Sequence, residues 1–358
     1  MRKIETPASE NRRRRDVLQG LGAGVAGLVT GTAAAPALAQ PAAQFPPFKV
    51  IDFHNHFIGS AFTPIVGAGA PSARRAYFDA VNRNLADSQA LLGSIETAGI
   101  TARVVNTPLE FIQDPDGDTA PDTVTRINDQ LAELVRRNPG RLYGLATVDA
   151  YSGEAGAREL TRAVRELDLR GVFVQAAKKE FFLDAPQARP TLTAAATLGV
   201  PVFVHPVTDV QLRGRFGRYG RSGVTLNRST INSAALIALL EGGTFHELPS
   251  LRVVVTTLAI GAVLLAGGLD GDSRMRRDAS ELNRRHVYID TMGLHPVLIR
   301  SVVDMLGADH VLAGTDWPIF VEKQIPDRLQ DALTACGLNA ADQQLVASGN
   351  TAKLLGIT

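Results

Sequence analysis

The chain has 358 residues, 45% of them hydrophobic, and a net charge of +1. That composition can bury a large core, either as two domains or as one large α/β barrel. Beyond the N-terminus there is no basic stripe interleaved with aromatics, so nothing points to nucleic acid. Cys336 is the only cysteine, which excludes an intrachain disulfide and a cysteine-built metal site.

Residues 1–39 read as an export signal. A basic head, Arg12-Arg13-Arg14-Arg15, precedes a Gly/Ala-rich, mildly apolar stretch over 21–35, and Ala37-Leu38-Ala39 offers a small-x-small cleavage site. The form Arg14-Arg15-x-Val17-Leu18 resembles a twin-arginine signal, a route for folded proteins that often carry their cofactor. The segment is too short and too broken by glycine to span a bilayer. The competing reading is a plain basic tail. The expectation is a periplasmic protein carried by the twin-arginine (Tat) machinery, with no membrane association in its mature form. Residues 40–48 then form a Pro/Ala linker, and 49–358 a single domain.

From Phe48 onward, short β-branched runs alternate with longer amphipathic patterns. Strands are expected at 49–53, 101–106, 142–148, 171–175, 200–204, 252–257, 286–290 and 310–313. They lack alternation, as strands buried on both faces do. Helices are expected at 86–98, 122–137, 154–167, 189–198, 233–240, 297–306, 327–335 and 340–355. The apolar run 260–269 is too short to cross a bilayer and reads as a buried helix. Eight strands in this alternation predict a (β/α)₈ TIM-like barrel. The alternative is an open doubly wound sheet, but no glycine-rich phosphate fingerprint follows the first strand. Two long loops, 58–84 and 206–231, are expected on the rim where barrel sites are built.

The chemistry concentrates at strand ends. His54 and His56 close the first strand, and an i, i+2 pair on a strand aims two imidazoles at one spot. His205 closes the fifth strand and Asp316 the eighth. Three imidazoles and a carboxylate suit one divalent ion, zinc first, with manganese or iron as alternatives. Asp316 would also take a proton as the catalytic base. Singly, His205 reads equally as a core histidine and Asp316 as a helix cap.

Taken in order, His54-x-His56, His205 and Gly314-Thr315-Asp316-Trp317-Pro318 resemble the amidohydrolase superfamily. The chain is similar to the amidohydrolase-related branch that includes aminocarboxymuconate-semialdehyde and resorcylate-type decarboxylases. The passages at 243–252 and 287–291 and the ending at 349–356 support the resemblance. It implies a barrel, often a homodimer, holding one metal ion.

One position departs from that pattern. The branch usually carries a histidine at the end of strand six, and this chain has Thr257 there. A hydroxyl cannot serve as an acid or base near neutral pH. The change counts against decarboxylation and against a two-metal site. Lys178 and Lys179 past strand four read as solvated surface, with Gln175 in the inward position. Candidates for contact with a small-molecule substrate are Arg218, one of five arginines between 213 and 228, together with His295 and Trp317. An arginine there suits a carboxylated substrate. His246, His286 and His310 fall at strand beginnings and read as structural.

The resulting expectation is a metal-dependent hydrolase acting on a small, carboxylated ester, lactone or amide. The alternatives are a non-oxidative decarboxylase of an aromatic or muconate-like acid, and an inactive periplasmic binding protein.

Overall fold

The computed structural model describes residues 48–68, 70, 72–268, 278–321 and 323–357. The export-signal reading of 1–39, and the linker up to 47, lie outside the described residues. The described residues between 48 and 357 form one unit. No described helix is long and apolar enough to cross a membrane.

The core is a ring of parallel strands. In chain order they are β1 (Ile51–His56), β2 (Ala102–Asn106), β3 (Leu142–Gly144), β4 (Ala146–Thr147) and β5 (Val172–Gln175). A short hairpin follows, β6 (Ala177–Lys178) with β7 (Phe181–Phe182). The ring resumes with β8 (Val202–His205), β9 (Val253–Val255), β10 (Val287–Asp290) and β11 (Val311–Leu312). Ladder pairs run β1-β2-β3 and β11-β10-β9-β8-β5-β4. Two seams join these runs. At Leu145 the third strand changes partner: Leu145 N–H donates to Val105 (2.9 Å) and Ala146 N–H to Gly171 (2.8 Å). On the other side, Phe53 N–H donates to Ala313 (2.8 Å) and His56 N–H to Trp317 (2.8 Å). With β3 and β4 sharing one position, eight positions close the ring, the architecture of a (β/α)₈ barrel.

The interior is layered. Phe53, Val104, Leu145, Phe173, Phe203, Val254 and Leu312 fill the ring with an apolar plug. A second apolar shell lies between the strands and the surrounding helices. Helices expected from periodicity appear as Ser88–Ala98, Pro121–Arg137, Glu154–Arg165, Arg189–Leu198 and Pro296–Leu306.

The structure corrects three readings. The stretch 206–231, expected as a loop, is largely helical, as Val210–Phe216 and then Gly220–Glu241. Its Gly, Ser, Thr and Asn content is poor for helix. Burial of Asn227, Ile231, Asn232, Ala235 and Leu236 against the ring overrides local propensity. The loop 58–84 likewise gives way to the helix Arg75–Ala86. Lys178 is not solvated surface either. It is buried in the β6–β7 hairpin, with Nζ 2.7 Å from Asp149 Oδ2, whereas Lys179 is exposed.

Candidate metal centre

The site begins with a bulge in β1. Asp52 pairs with Arg103 and Asn55 with Val105, so two residues of β1 oppose one of β2. Consecutive residues Phe53 and His54 therefore both face the interior. Their ring centroids lie 5.2 Å and 5.0 Å from that of Phe203. Asp52 and Asn55 turn the other way and hold the fully buried Arg103 guanidinium. Asp52 also accepts the Thr315 N–H (3.0 Å) and hydroxyl (2.6 Å), which locks the end of β1 to the segment after β11. Burial pushes the Asp52 carboxyl up, against the pull of Arg103, and the same burial lowers Arg103.

That lock sets Asp316 beside the histidines. Asp316 N–H donates to the His54 carbonyl (2.8 Å), and Asp316 takes φ 65°, a left-handed conformation that Asp tolerates better than bulky residues. Gly314 is required two residues earlier. A Cβ there would lie 2.9 Å from Asp290 Cβ and 3.1 Å from His54 Cβ. Its absence lets β10, β11 and β1 close together.

His54, His56, His205 and Asp316 each offer one ligand atom, and these atoms lie within 4.8 Å of one another. His54 Nε2 is 3.2 Å from His56 Nε2, and Asp316 Oδ1 is 3.1 Å from His56 Nε2 and 3.5 Å from His54 Nε2. The outer nitrogens each face an oxygen. His54 Nδ1 meets Asp290 Oδ2 at 2.6 Å, and His56 Nδ1 meets Asn106 Oδ1 at 2.8 Å. His205 Nδ1 lies 3.4 Å from Glu110 Oε1, and Glu110 is in turn held by Arg228 (3.0 Å). Metal-binding histidines are oriented in this way, with the outer N–H on a carboxylate or carbonyl and the inner nitrogen free. Asp316 Oδ1 is buried without a hydrogen-bond partner. Polar atoms left so are expensive unless a ligand completes them. The donor set therefore fits one divalent cation.

Burial favours the neutral imidazole a metal requires. It pushes His205 well below its ordinary value of 6.5, helped by the charges of His56 and Arg228, and it lowers His56 despite Asp316. In His54 the Asp316 and Asp290 carboxylates outweigh burial and raise the value.

The other sequence candidates sit elsewhere. Arg218 is exposed and donates to the hydroxyl of its neighbour Tyr219 (2.6 Å). His295 is exposed at the start of the helix Pro296–Leu306. Trp317 is buried, with its ring 5.5 Å from the Arg103 guanidinium. Of the five loop arginines, Arg228 is the one joined to the centre, through Glu110. Thr257 is buried at the strand-six turn and contributes its backbone: its N–H donates to Asp290 Oδ1 (2.8 Å). Sequence reasoning missed Asn106, Glu110 and Asp290. The signal available for Asn106 and Asp290 was a polar residue closing an apolar strand run. His286 and His310 cap carbonyls at the opposite end of the ring, those of Leu251 and Val287, both at 2.7 Å.

A parallel barrel with histidine and aspartate ligands at the C-terminal strand ends defines a metal-dependent barrel enzyme. A family model described as amidohydrolase matches residues 51–357, and the chain belongs to that family. Among curated relatives, the 2-amino-3-carboxymuconate-6-semialdehyde decarboxylase of Dictyostelium discoideum is 23% identical over 290 residues, 78% of this chain and 80% of that one. The gamma-resorcylate decarboxylase of Polaromonas sp. (strain JS666) is 25% identical over 258 residues, 67% of this chain and 78% of that one. A crystal structure of a dihydroxybenzoic acid decarboxylase from Polaromonas sp. JS666, with bound manganese and the inhibitor 2-nitroresorcinol, superimposes with a TM-score of 0.71. It is 21% identical and covers 86% of this chain and 97% of that one. These relatives overturn the hydrolase expectation, since the curated sequences that match are named as decarboxylases. The absence of histidine at 257 removes an acid–base group but leaves the ligand set and its outer oxygens intact.

Proposed function

We propose that the chain is a metal-dependent, non-oxidative decarboxylase of a hydroxylated aromatic acid. The observation that carries this reading is the four-ligand cluster, in a chain whose curated relatives are decarboxylases over most of its length. In such a reaction the bond between ring and carboxylate breaks and its electron pair stays on the ring carbon. That carbon then takes a proton as carbon dioxide leaves. A divalent ion bound by His54, His56, His205 and Asp316 would supply Lewis-acid polarisation of a substrate oxygen. Manganese, as in the Polaromonas structure, and zinc both suit these donors. The chain's own part is to orient the acid, exclude water and deliver the proton. With Thr257 in place of an imidazole, Asp316 is the residue assigned to proton delivery, and its side chain is 13% exposed at the mouth. The reading further holds that residues 1–39 direct export by the twin-arginine route and that the periplasmic protein acts as a homodimer. A signal-reporter fusion and sedimentation test those two parts.

The test of function is metal content and carbon dioxide release from gamma-resorcylate, in the purified protein and in His54→Ala. The expected result is about one ion per chain with turnover, both lost in the variant. An ion-free protein that takes up no manganese or zinc would overturn the reading. So would a loaded protein that releases no carbon dioxide from a panel of hydroxybenzoates.

A further inference from the structure

Two cations beside the centre, Arg228 and Lys178, already have carboxylate partners. Arg228 Nη2 and Nη1 meet Glu110 at 3.0 Å and 3.2 Å. Lys178 Nζ meets Asp149 at 2.7 Å and Asp118 at 3.3 Å. Two amide groups in the same arc of the ring are in the opposite condition. Asn106 Nδ2 and Gln175 Nε2 are buried and have no hydrogen-bond partner, in residues exposed by only 0% and 6%.

Both amides belong to the mouth of the site. Gln175 pairs in register with His205 on the adjacent parallel strand, so the two side chains point the same way. Phe173, two residues earlier on that face, has its ring centroid 5.1 Å from that of His205. Asn106 arrives from β2 with Oδ1 on His56 Nδ1. A histidine that offers Nε2 to a metal carries its proton on Nδ1, which fixes this amide with oxygen toward the ring and N–H₂ away from it. Between them, the Thr147 hydroxyl is already engaged by the Thr107 carbonyl (2.8 Å).

We infer that Gln175 and Asn106 form a neutral amide cradle that receives the carboxylate to be lost. The inference rests on the decarboxylase reading and deepens it. An unpartnered buried N–H is costly until a ligand accepts from it, and a carboxylate is a strong acceptor. Neutrality matters to the chemistry. A free guanidinium would hold negative charge on the carboxylate and stabilise the ground state over a departing neutral carbon dioxide. With Arg228 and Lys178 matched inside the protein, the amides orient the acid without that penalty. Gln175 is the better probe of the two, since Asn106 also holds a metal-binding histidine.

The experiment is titration calorimetry of the manganese-loaded protein with gamma-resorcylate and with resorcinol, its decarboxylated counterpart. It uses the full chain, Gln175→Leu and Gln175→Glu, at matched metal content and with thermal unfolding as a control. Gln175→Leu should bind the acid about tenfold more weakly or worse, with resorcinol unchanged. Gln175→Glu, which keeps the shape but adds a negative charge, should lose more, and covers the case in which leucine does not fold. Unchanged affinity for the acid in both variants would overturn the cradle, as would equal losses for acid and resorcinol. A wild-type protein that binds neither these probes nor any hydroxybenzoate of the panel would overturn the decarboxylase reading itself, and the cradle with it.

Discussion

His54 Nδ1 and Asp290 Oδ2 lie 2.6 Å apart across 236 residues of chain. The contact orients the imidazole so that Nε2 faces His56 and Asp316. Asp290 is itself held on its other oxygen by the N–H groups of Thr257 (2.8 Å) and Met292 (3.2 Å). Asp290→Asn replaces one acceptor oxygen with a donor and breaks one side of this arrangement. It should weaken metal binding by about 10- to 100-fold, read by competition against a chelator. Affinity equal to wild type would mean that His54 needs no carboxylate behind it.

The same relationship gives position 257 a role that its side chain does not carry. Thr256 is extended (φ −75°, ψ 161°) and caps the short turn Thr257–Ala259, so 257 is a first helical position where proline fits. Thr257→Ala keeps the N–H on Asp290 and should keep the metal. Thr257→Pro removes that N–H and should lower metal affinity while leaving the fold in place, as circular dichroism would show. Equal affinity in the two variants would assign the Asp290 geometry to β10 alone.

Protonation acts on the same centre. His205 and His56 take up protons less readily in the folded chain than in the unfolded one. As pH falls through about 6.5 the unfolded state gains protons that these two residues refuse, so their contribution to stability is lost. His54 works the other way, since its value is raised and its contribution is present below that pH. With two residues against one, the metal-free protein should melt at lower temperature at about pH 5.5 than at about pH 7.5. The loaded protein should lose more, because protons also compete with the ion. Thermal melts across that range check the sign. His205→Gln should flatten the slope of the metal-free series.

Much of this was legible before folding. Continuous β-branched runs marked the ring strands, because a strand covered on both faces needs no alternation. His54, His56, His205 and Asp316 stood out because each ends such a run, and parallel strands in a barrel deliver their C-terminal ends to one mouth. The outer partners were not legible. Asp290, Asn106 and Glu110 are ordinary polar residues until ring closure sets each beside a particular imidazole. The N-terminal part of the helix Gly220–Glu241, ahead of the expected 233–240, was hidden for a related reason. It is weak in local propensity, and the stabilising contacts come from the ring it covers.

The one-residue bulge in β1 is the clearest division between the two sources. Sequence alone determined that two imidazoles would share a face, since i and i+2 do so on any strand. It also determined which residue types could hold an ion. Only the tertiary structure decided that Phe53 and His54 would both turn inward, that Asp52 would reach Arg103 and Thr315, and that two amides would stay unpartnered. Those outcomes depend on which strands become neighbours, and that is settled by packing across the whole ring.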